Sequence, residues 1–278
     1  MKLNLKKIVN FKPKKKTASN TEIAILDKNA SFTVKEAYKS LRTNLIFSMG
    51  TPDDKAKVLS IVSSAPSEGK TTTAINIAIS FAETNCKVLL VDCDLRKPKL
   101  HKYMKLKNTS GMSNILGGFT TAEQTIFKSS YGFDCILAGR IPPNPAELLS
   151  SDKFTETFDA LKDKYDYIFI DCPPINVVSD ALTISTYSDG VLYVVNPSIV
   201  LNSDVAEGIA KLEFVNAKIY GFVANAVDTF FKHKTSGKYR SIYNSKYGYY
   251  YYSSSYKAYE YKEDEKGWSI SIHTFYRQ

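Results

Sequence analysis

Residues 58–73 have the sequence VLSIVSSAPSEGKTTT, and this stretch decides the fold. Its first five residues are mostly apolar and predict a buried strand, and the Ser, Ala, Pro and Gly that follow predict a loop. A helix is predicted next, over Thr72–Glu83. A strand, a loop ending in Gly-Lys-Thr and a helix, in that order, are typical of a phosphate-binding P-loop.

This loop has the groups that a nucleoside triphosphate needs. Backbone N–H groups at the start of a helix surround phosphate oxygens, the amine of Lys70 would neutralise the β- and γ-phosphates, and the hydroxyl of Thr71 would reach Mg²⁺. Ser64 stands where such loops usually have their first Gly. A chance Gly-Lys-Thr in a surface loop is the alternative, which the flanking apolar strand and helix disfavour. ATP and Mg²⁺ are therefore the predicted cofactors, and the predicted binding residues in the loop are Ser67, Glu68, Gly69, Lys70, Thr71 and Thr72.

Strand and helix patterns alternate along the rest of the chain. Further strands are predicted at Val88–Val91, Cys135–Ala138, Tyr167–Ile170, Gly190–Val195 and Ile219–Ala224. Further helices are predicted at Phe154–Asp163 and Ser203–Phe214, and an amphipathic helix at the start opens near Ser31 or Thr33. Several strands are continuously apolar, as expected when helices cover both faces of a parallel sheet. The sequence thus predicts an α/β fold with a doubly wound, mostly parallel sheet.

Three acidic residues directly follow two of these strands. Asp92 and Asp94 come after the strand at 88–91, and Asp171 comes after the strand at 167–170. The carboxyl ends of strands in an open α/β sheet face the ligand crevice, so we expect all three acids beside the P-loop. One Asp at a strand end is usually a turn former, but three beside a P-loop favour a metal site.

The two ends of the chain differ in composition from its centre. Of the net charge of +9, residues 1–20 supply seven Lys and no acid, so the body is nearly neutral. This favours a solvated or membrane-surface arm over a nucleic-acid-binding face. Residues 239–261 contain ten of the nineteen tyrosines and few aliphatic residues, which predicts disorder. The predicted division is an arm at 1–30, a nucleotide-binding domain at 31–235 and a flexible tail at 236–278.

Cysteine spacing and hydropathy predict the compartment. The four cysteines form no CxxC pair, which is typical of buried, reduced thiols in a cytoplasmic protein. No run of about 18 apolar residues is present, so any association with a membrane is expected to come from a partner.

The motifs together resemble those of the bacterial tyrosine kinases, or BY-kinases, of capsule and exopolysaccharide synthesis. The resemblance is carried by the P-loop, by the D-x-D-x-R run of 92–96 and by the D-x-P-P run of 171–174. Residues 139–149 are similar to the family segment G-x-x-P-P-N-P-x-E-L-L. The tyrosine cluster is a further hallmark, and the resemblance covers about residues 30–230 plus the tail.

A helix near the start matches the family's interface motif in part. Glu36, Lys39 and Arg42 stand where the family has E-x-x-R-x-x-R, with Lys in place of the first Arg. The resemblance therefore implies a homo-oligomeric ring. Lysine cannot make the bidentate pairs that arginine makes, so this replacement bears on the strength of the interface and not on nucleotide binding.

The resemblance also implies an activity and a P-loop NTPase architecture like that of the MinD/ParA ATPases. The expected activity is ATP-dependent autophosphorylation of the tyrosine tail in trans, with regulation of capsular or exopolysaccharide synthesis and export. A MinD/ParA-type switch ATPase is the alternative, but its signature Lys is missing from Ser63–Pro66. A non-catalytic regulator is a third possibility, which the intact set of Lys70 and the three acids disfavours.

The resemblance assigns roles to the site residues. The catalytic set is Lys70, Asp92, Asp94 and Asp171, and the metal set is Thr71, Asp94 and Asp171. Asp92 would accept the tyrosine proton, although an exchange of roles between Asp92 and Asp94 fits the sequence equally well. Asn225, at the end of a predicted strand, is either an adenine contact or a simple strand cap.

Substrate and partners are implied in the same way. The expected phosphate acceptors are Tyr243, Tyr247, Tyr249, Tyr250, Tyr251, Tyr252, Tyr256 and Tyr259. The chain resembles the split form of the family, in which a membrane adaptor of the polysaccharide co-polymerase type activates the kinase through its cytoplasmic tail. A cognate tyrosine phosphatase and a peripheral location at the inner face of the cell membrane complete this expectation.

Overall fold

The computed structural model describes residues 25–225 and 271–273, and these form an α/β fold. The strands are β1 (Lys57–Ser63), β2 (Val88–Asp92), β3 (Phe127–Lys128), β4 (Asp134–Ile136), β5 (Tyr167–Asp171), β6 (Gly190–Val195), β7 (Ile219–Ala224) and β8 (Ser271–His273). The helices are α1 (Phe32–Met49), α2 (Lys70–Ala82), α3 (Leu100–Tyr103), α4 (Met112–Leu116), α5 (Ala122–Thr125), α6 (Pro145–Leu149), α7 (Asp152–Lys162), α8 (Asp180–Tyr187) and α9 (Asn202–Phe214).

All eight strands of the described residues form one sheet, in the order β3-β4-β2-β5-β1-β6-β7-β8. The inner strands from β4 to β7 are parallel, and the edge strands β3 and β8 run antiparallel to their neighbours. β1 lies between β5 and β6. Asp92 at the end of β2 is the register partner of Asp171 at the end of β5, so the parallel pairing alone places two acids side by side.

Hydrophobic cores cover both faces of this sheet. On one face, Phe81 of α2 packs edge-on against Tyr167 and Phe169 of β5, with ring centroids 4.6 and 5.1 Å apart. On the other face, Phe154 and Phe158 of α7 are fully buried against the same sheet. These two layers confirm the predicted doubly wound, mostly parallel architecture.

The ends of the domain differ from a simple arm and tail. Leu26 lies within the segment predicted as an arm, yet it is buried, and its N–H donates to Oδ1 of Asn76 at 2.8 Å. β8 lies within the predicted tail and pairs with β7, with Ser271 opposite Ala224. The folded part of the chain therefore includes residues at 25–30 and 271–273. Within the described ranges, no helix is long and apolar enough to cross a membrane.

Candidate functional site

Two residues of the phosphate-binding loop have a left-handed backbone conformation, which favours glycine. Ser67 and Gly69 both have positive φ angles, of 69° and 95°, and α2 begins at the next residue, Lys70. A Cβ atom on Gly69 would overlap the side-chain amide of Asn225. Glycine is therefore required at position 69 by conformation and by space.

Lys70 and Thr71 meet Asp171 at the carboxyl end of β5. The Lys70 amine donates to Asp171 Oδ1 at 2.8 Å, and the Thr71 hydroxyl donates to Asp171 Oδ2 at 2.6 Å. The side chains of Lys70 and Asp171 are only 9% and 1% exposed. Burial by itself lowers the pKa of Lys70, but the charge and hydrogen bond of Asp171 more than offset this, so the pKa lies above its usual value.

The other two predicted acids lie beside this pair. Asp92 is fully buried, and its carboxylate accepts the N–H groups of Asp94 and Leu100, each at 3.1 Å. Burial, then the charges of Asp171 and Asp94, raise the pKa of Asp92 to about 8. The structure thus brings the three acids together, as their positions at the ends of the strands predicted. Their combined negative charge exceeds the single positive charge of Lys70.

This donor set suits a hard divalent cation. Carboxylate and hydroxyl oxygens are the groups that Mg²⁺ prefers, and it typically takes one or two carboxylates and completes its shell with water and phosphate oxygens. Thr71, Asp94 and Asp171 supply such oxygens. Within the described ranges, no group of three or more His, Cys, Asp or Glu residues is arranged to hold a metal ion. The residues present therefore fit Mg²⁺ held jointly with a nucleotide.

Glu68 has a role that the sequence did not show. Its buried carboxylate accepts the N–H of Ala65 at 2.6 Å and the N–H of Asn196, after β6, at 3.0 Å. Burial raises its pKa above the usual value. Because both carboxylate oxygens are directed inward, the side chain holds the loop together, and only the backbone of Glu68 is left to face a phosphate.

Asn225 also closes the loop from the side of β7. Its backbone N–H donates to Val195 O and its side-chain amide donates to Glu68 O, both at 2.8 Å. The ends of β1, β6 and β7 are thereby joined next to the P-loop. An adenine contact by Asn225 stays a prediction.

Ser64 replaces the usual Gly and uses its side chain. Its hydroxyl is 2.8 Å from the hydroxyl of the buried Tyr193 on β6. The same tyrosine hydroxyl lies so close to Gly208 of α9 that a Cβ there would overlap it. A serine at this position thus satisfies a buried hydroxyl, which a glycine could not.

The remaining predicted residues lie away from this centre or outside the described chain. On α1, Lys39 pairs with Glu36 at 2.7 Å, and both are about half exposed. Arg42 donates to the carbonyl oxygen of Ser80 and, at 3.2 Å, to its hydroxyl. A ring interface formed by these residues stays a prediction. The eight predicted phosphate acceptors lie outside the described residues.

The cysteines agree with their predicted state. Cys93, Cys135 and Cys172 are buried, Cys86 is partly buried, and all four are free thiols. Burial raises the pKa of Cys172 to about 12, so this neighbour of Asp171 stays uncharged at neutral pH.

The fold and the site define a P-loop nucleotide-binding protein, and a family model described as an AAA domain matches residues 56–220. The chain is 37% identical over 191 residues to the tyrosine-protein kinase YwqD of Bacillus subtilis, covering 68% of this chain and 80% of the relative. It is 34% identical over 212 residues to the putative tyrosine-protein kinase CapB of Staphylococcus aureus, covering 76% and 92%. The chain belongs to the family of bacterial tyrosine-protein kinases.

Solved structures agree with this assignment. The kinase domain of the Escherichia coli tyrosine kinase ETK has a TM-score of 0.65 and 30% identity, and the match covers 73% of this chain and 83% of that one. The cell division ATPase MinD of Pyrococcus furiosus has a TM-score of 0.52 and 28% identity over 60% of this chain and 70% of that one. The shared P-loop architecture is confirmed, and the switch ATPase is the less favoured alternative.

Proposed function

We propose that the site transfers the γ-phosphoryl group of ATP to tyrosine hydroxyls in residues 239–261 of another copy of this chain. The observation that supports it best is the buried group of Lys70, Thr71 and Asp171 with Asp92 and Asp94 beside it, in a tyrosine-kinase family member. Phosphoryl transfer needs positioning and neutralisation of charge more than covalent chemistry from the protein. This group of residues supplies both.

Each side chain then has a defined task. Lys70 exchanges its contact with Asp171 for the β- and γ-phosphates, and the loop amides surround the same oxygens. Thr71, Asp94 and Asp171 would hold Mg²⁺, which would supply positive charge that neutralises the phosphates. Asp92 orients the tyrosine hydroxyl and accepts its proton. Burial raises the pKa of Asp92, but the positive charge of Lys70 favours its ionised form and a bound Mg²⁺ would favour it further, and the ionised carboxylate is the form that accepts a proton.

The wider setting is part of the same proposal. A ring formed through α1 would present the tyrosine segment of one copy to the site of the next. A membrane adaptor of the polysaccharide co-polymerase type would activate the kinase and hold it at the inner face of the membrane. A cognate phosphatase would reverse the modification, and the output would be control of capsular or exopolysaccharide synthesis.

The test is phosphate mapping on the full-length chain. The protein is incubated with Mg-ATP, with and without an adaptor peptide, and phosphotyrosine is located by mass spectrometry. We expect phosphotyrosine within 239–261 that is absent in Lys70→Met. Release of inorganic phosphate without any phosphotyrosine would contradict the kinase proposal and favour a switch ATPase. Mixing a Lys70→Met chain with a chain lacking the eight acceptor tyrosines tests transfer in trans.

A further inference from the structure

Arg96, which follows the predicted metal ligand Asp94 in the same loop, makes a bidentate ion pair with Asp180. Arg96 lies two residues beyond Asp94, and its Nε and Nη2 atoms donate to Asp180 Oδ2 and Oδ1 at 2.7 and 3.0 Å. Asp180, the first residue of α8, is fully buried, whereas the Arg96 side chain is 39% exposed. A bidentate pair on a buried carboxylate fixes both distance and orientation.

This pair joins two loops that both lead away from site acids. Arg96 belongs to the loop after β2, which carries Asp94. Asp180 ends the loop after β5, which starts beyond Asp171 and is itself bound to the P-loop. There the N–H of Ile175 donates to Ser63 O at 2.9 Å, and the next N–H donates to Ser64 O at 3.2 Å. Arg96 therefore connects the Asp94 loop to a frame that already includes the P-loop.

The Asp94 carboxylate has little other support within its own loop. Its Oδ1 accepts the N–H of Lys97 at 2.9 Å, a contact that moves with the loop. The Arg96 charge also attracts Asp94, which reduces the repulsion among neighbouring carboxylates. The backbone before the Asp94 side chain is held by the N–H of Cys93, which donates to Asp171 O at 2.9 Å, and by the N–H of Asp94, which donates to Asp92 Oδ1 at 3.1 Å. Arg96 is the contact that ties the part of the loop beyond Asp94 to the same frame.

We propose that Arg96 is a positioning residue that, through Asp180, holds Asp94 where it can bind a divalent cation together with Thr71. This inference rests on the proposed Mg²⁺-dependent function of the site. Residues that orient metal ligands without touching the metal typically change metal affinity when they are removed. Arg96 should therefore govern the metal requirement more than nucleotide binding itself.

The test separates metal affinity from folding in the full-length chain. Titration calorimetry measures Mg²⁺ binding to the ADP-loaded protein, ADP binding is measured separately in EDTA, and thermal unfolding reports stability. Arg96→Met should weaken Mg²⁺ binding by about 10- to 100-fold, while ADP affinity in EDTA changes less than about 2-fold, a difference near 0.4 kcal/mol. Arg96→Lys keeps the charge but not the bidentate geometry and should give an intermediate value.

Controls make each outcome decisive. Lys153→Met removes an exposed ion pair with Glu156 on α7 and should leave Mg²⁺ binding unchanged. If Arg96→Met lowers the melting temperature but leaves the Mg²⁺ affinity unchanged, the pair is only structural and the inference is wrong. If Arg96→Met does not fold, Arg96→Lys decides the question by the same measurement. One further outcome is that Arg96→Met weakens Mg²⁺ binding as expected while the wild-type protein forms no phosphotyrosine. That pair of results would contradict the kinase proposal and leave this inference standing.

Discussion

The charged residues at the carboxyl ends of the central strands (the carboxyl edge) are more deeply buried than those at the amino ends (the amino edge). At the carboxyl edge, Lys70 and Asp171 are almost fully buried and 2.8 Å apart. At the amino edge, Lys57 and Asp53 are 4.0 Å apart, and the Asp53 side chain is 87% exposed. β1 begins at Lys57 and leads to the P-loop, so one strand connects both settings.

This difference shows where the molecule accepts unfavourable electrostatics. Burying several carboxylates around one lysine opposes folding, whereas exposed pairs contribute little in either direction. Perturbed charges cluster at functional sites because chemistry requires them there. Substitutions at the carboxyl edge should therefore have large effects on function, and matched substitutions at the amino edge should have small ones.

The largest effect is expected from removing the buried lysine. Lys70→Met removes the cation that faces the phosphates, so tyrosine phosphorylation should fall by roughly 100- to 1000-fold. Quantitative mass spectrometry of phosphotyrosine measures this. Lys57→Met at the other end of β1 is the matched control and should retain wild-type activity. An equal loss of phosphorylation in Lys70→Met and Lys57→Met would mean that the two edges do not differ in their importance for activity.

The next effect is expected at the buried acid of β2, in both function and stability. Asp92→Asn replaces one of the two oxygens that accept the N–H groups of Asp94 and Leu100 with an amide nitrogen, so a buried N–H loses its acceptor and the melting temperature should fall. Phosphorylation should fall by about 100-fold because the proton acceptor is lost. Asp166→Asn at the amino edge, where Asp166 accepts the N–H of Lys87, should change neither quantity noticeably. A rise in melting temperature for Asp92→Asn would contradict this account.

Two glycine substitutions compare a positive-φ glycine inside the P-loop with one outside it. Gly69→Ala meets both a positive φ and the Asn225 amide, so nucleotide affinity should fall by about 10- to 100-fold, since local strain is about 1–3 kcal/mol. Gly118 has a φ of 76° but open space around it. Gly118→Ala should therefore carry the backbone strain alone and leave nucleotide binding intact in a fluorescence titration.

A smaller effect is expected from the hydroxyl pair behind the P-loop. Tyr193→Phe leaves the Ser64 hydroxyl without its partner and should lower the free energy of unfolding by about 1 kcal/mol. Combining it with Ser64→Ala should be less damaging than the sum of the two single changes. Tyr165→Phe, which removes a more exposed hydroxyl bond to Asp134, is the matched comparison in chemical denaturation. A larger loss for Tyr165→Phe would reverse the expected order.

The smallest effect belongs to an exposed pair. Lys164 lies 2.5 Å from Glu123 and lowers the pKa of Glu123 to about 2. A depressed carboxyl pKa stabilises the fold above pH 4.5 and loses this contribution as the pH falls towards 2. Because both groups are about half exposed or more, Glu123→Gln should change stability at pH 7 by less than about 0.5 kcal/mol. Urea denaturation at pH 7 and pH 3 checks both the size and the sign.

The sequence predicted those elements of the fold that are determined by the pattern of neighbouring residues. β6 and β7 were predicted residue for residue, since continuous apolar runs between polar breaks leave little choice. The strand predicted at Cys135–Ala138 is shifted and forms Asp134–Ile136. The short helices, α8 and the two edge strands were not predicted, because their few residues carry no periodic pattern and depend on tertiary contacts.

The site shows the same division between local and distant information. The acids at the ends of β2 and β5 were placed correctly, because parallel strands bring their carboxyl ends to one edge. The inward direction of the Glu68 carboxylate was not foreseen, since its partner Asn196 lies 128 residues away. The Arg96–Asp180 pair spans 84 residues and was missed for the same reason.

The pairing of β8 with β7 also decides how the tyrosine segment should be removed in an experiment. Residues 271–273 cover the outer backbone of Phe222, Val223 and Ala224. A truncation made before residue 271 would delete the tyrosines and also expose an apolar sheet edge, which is a template for aggregation. Replacing the tyrosines by phenylalanine within the full-length chain avoids confusing insolubility with lost phosphorylation.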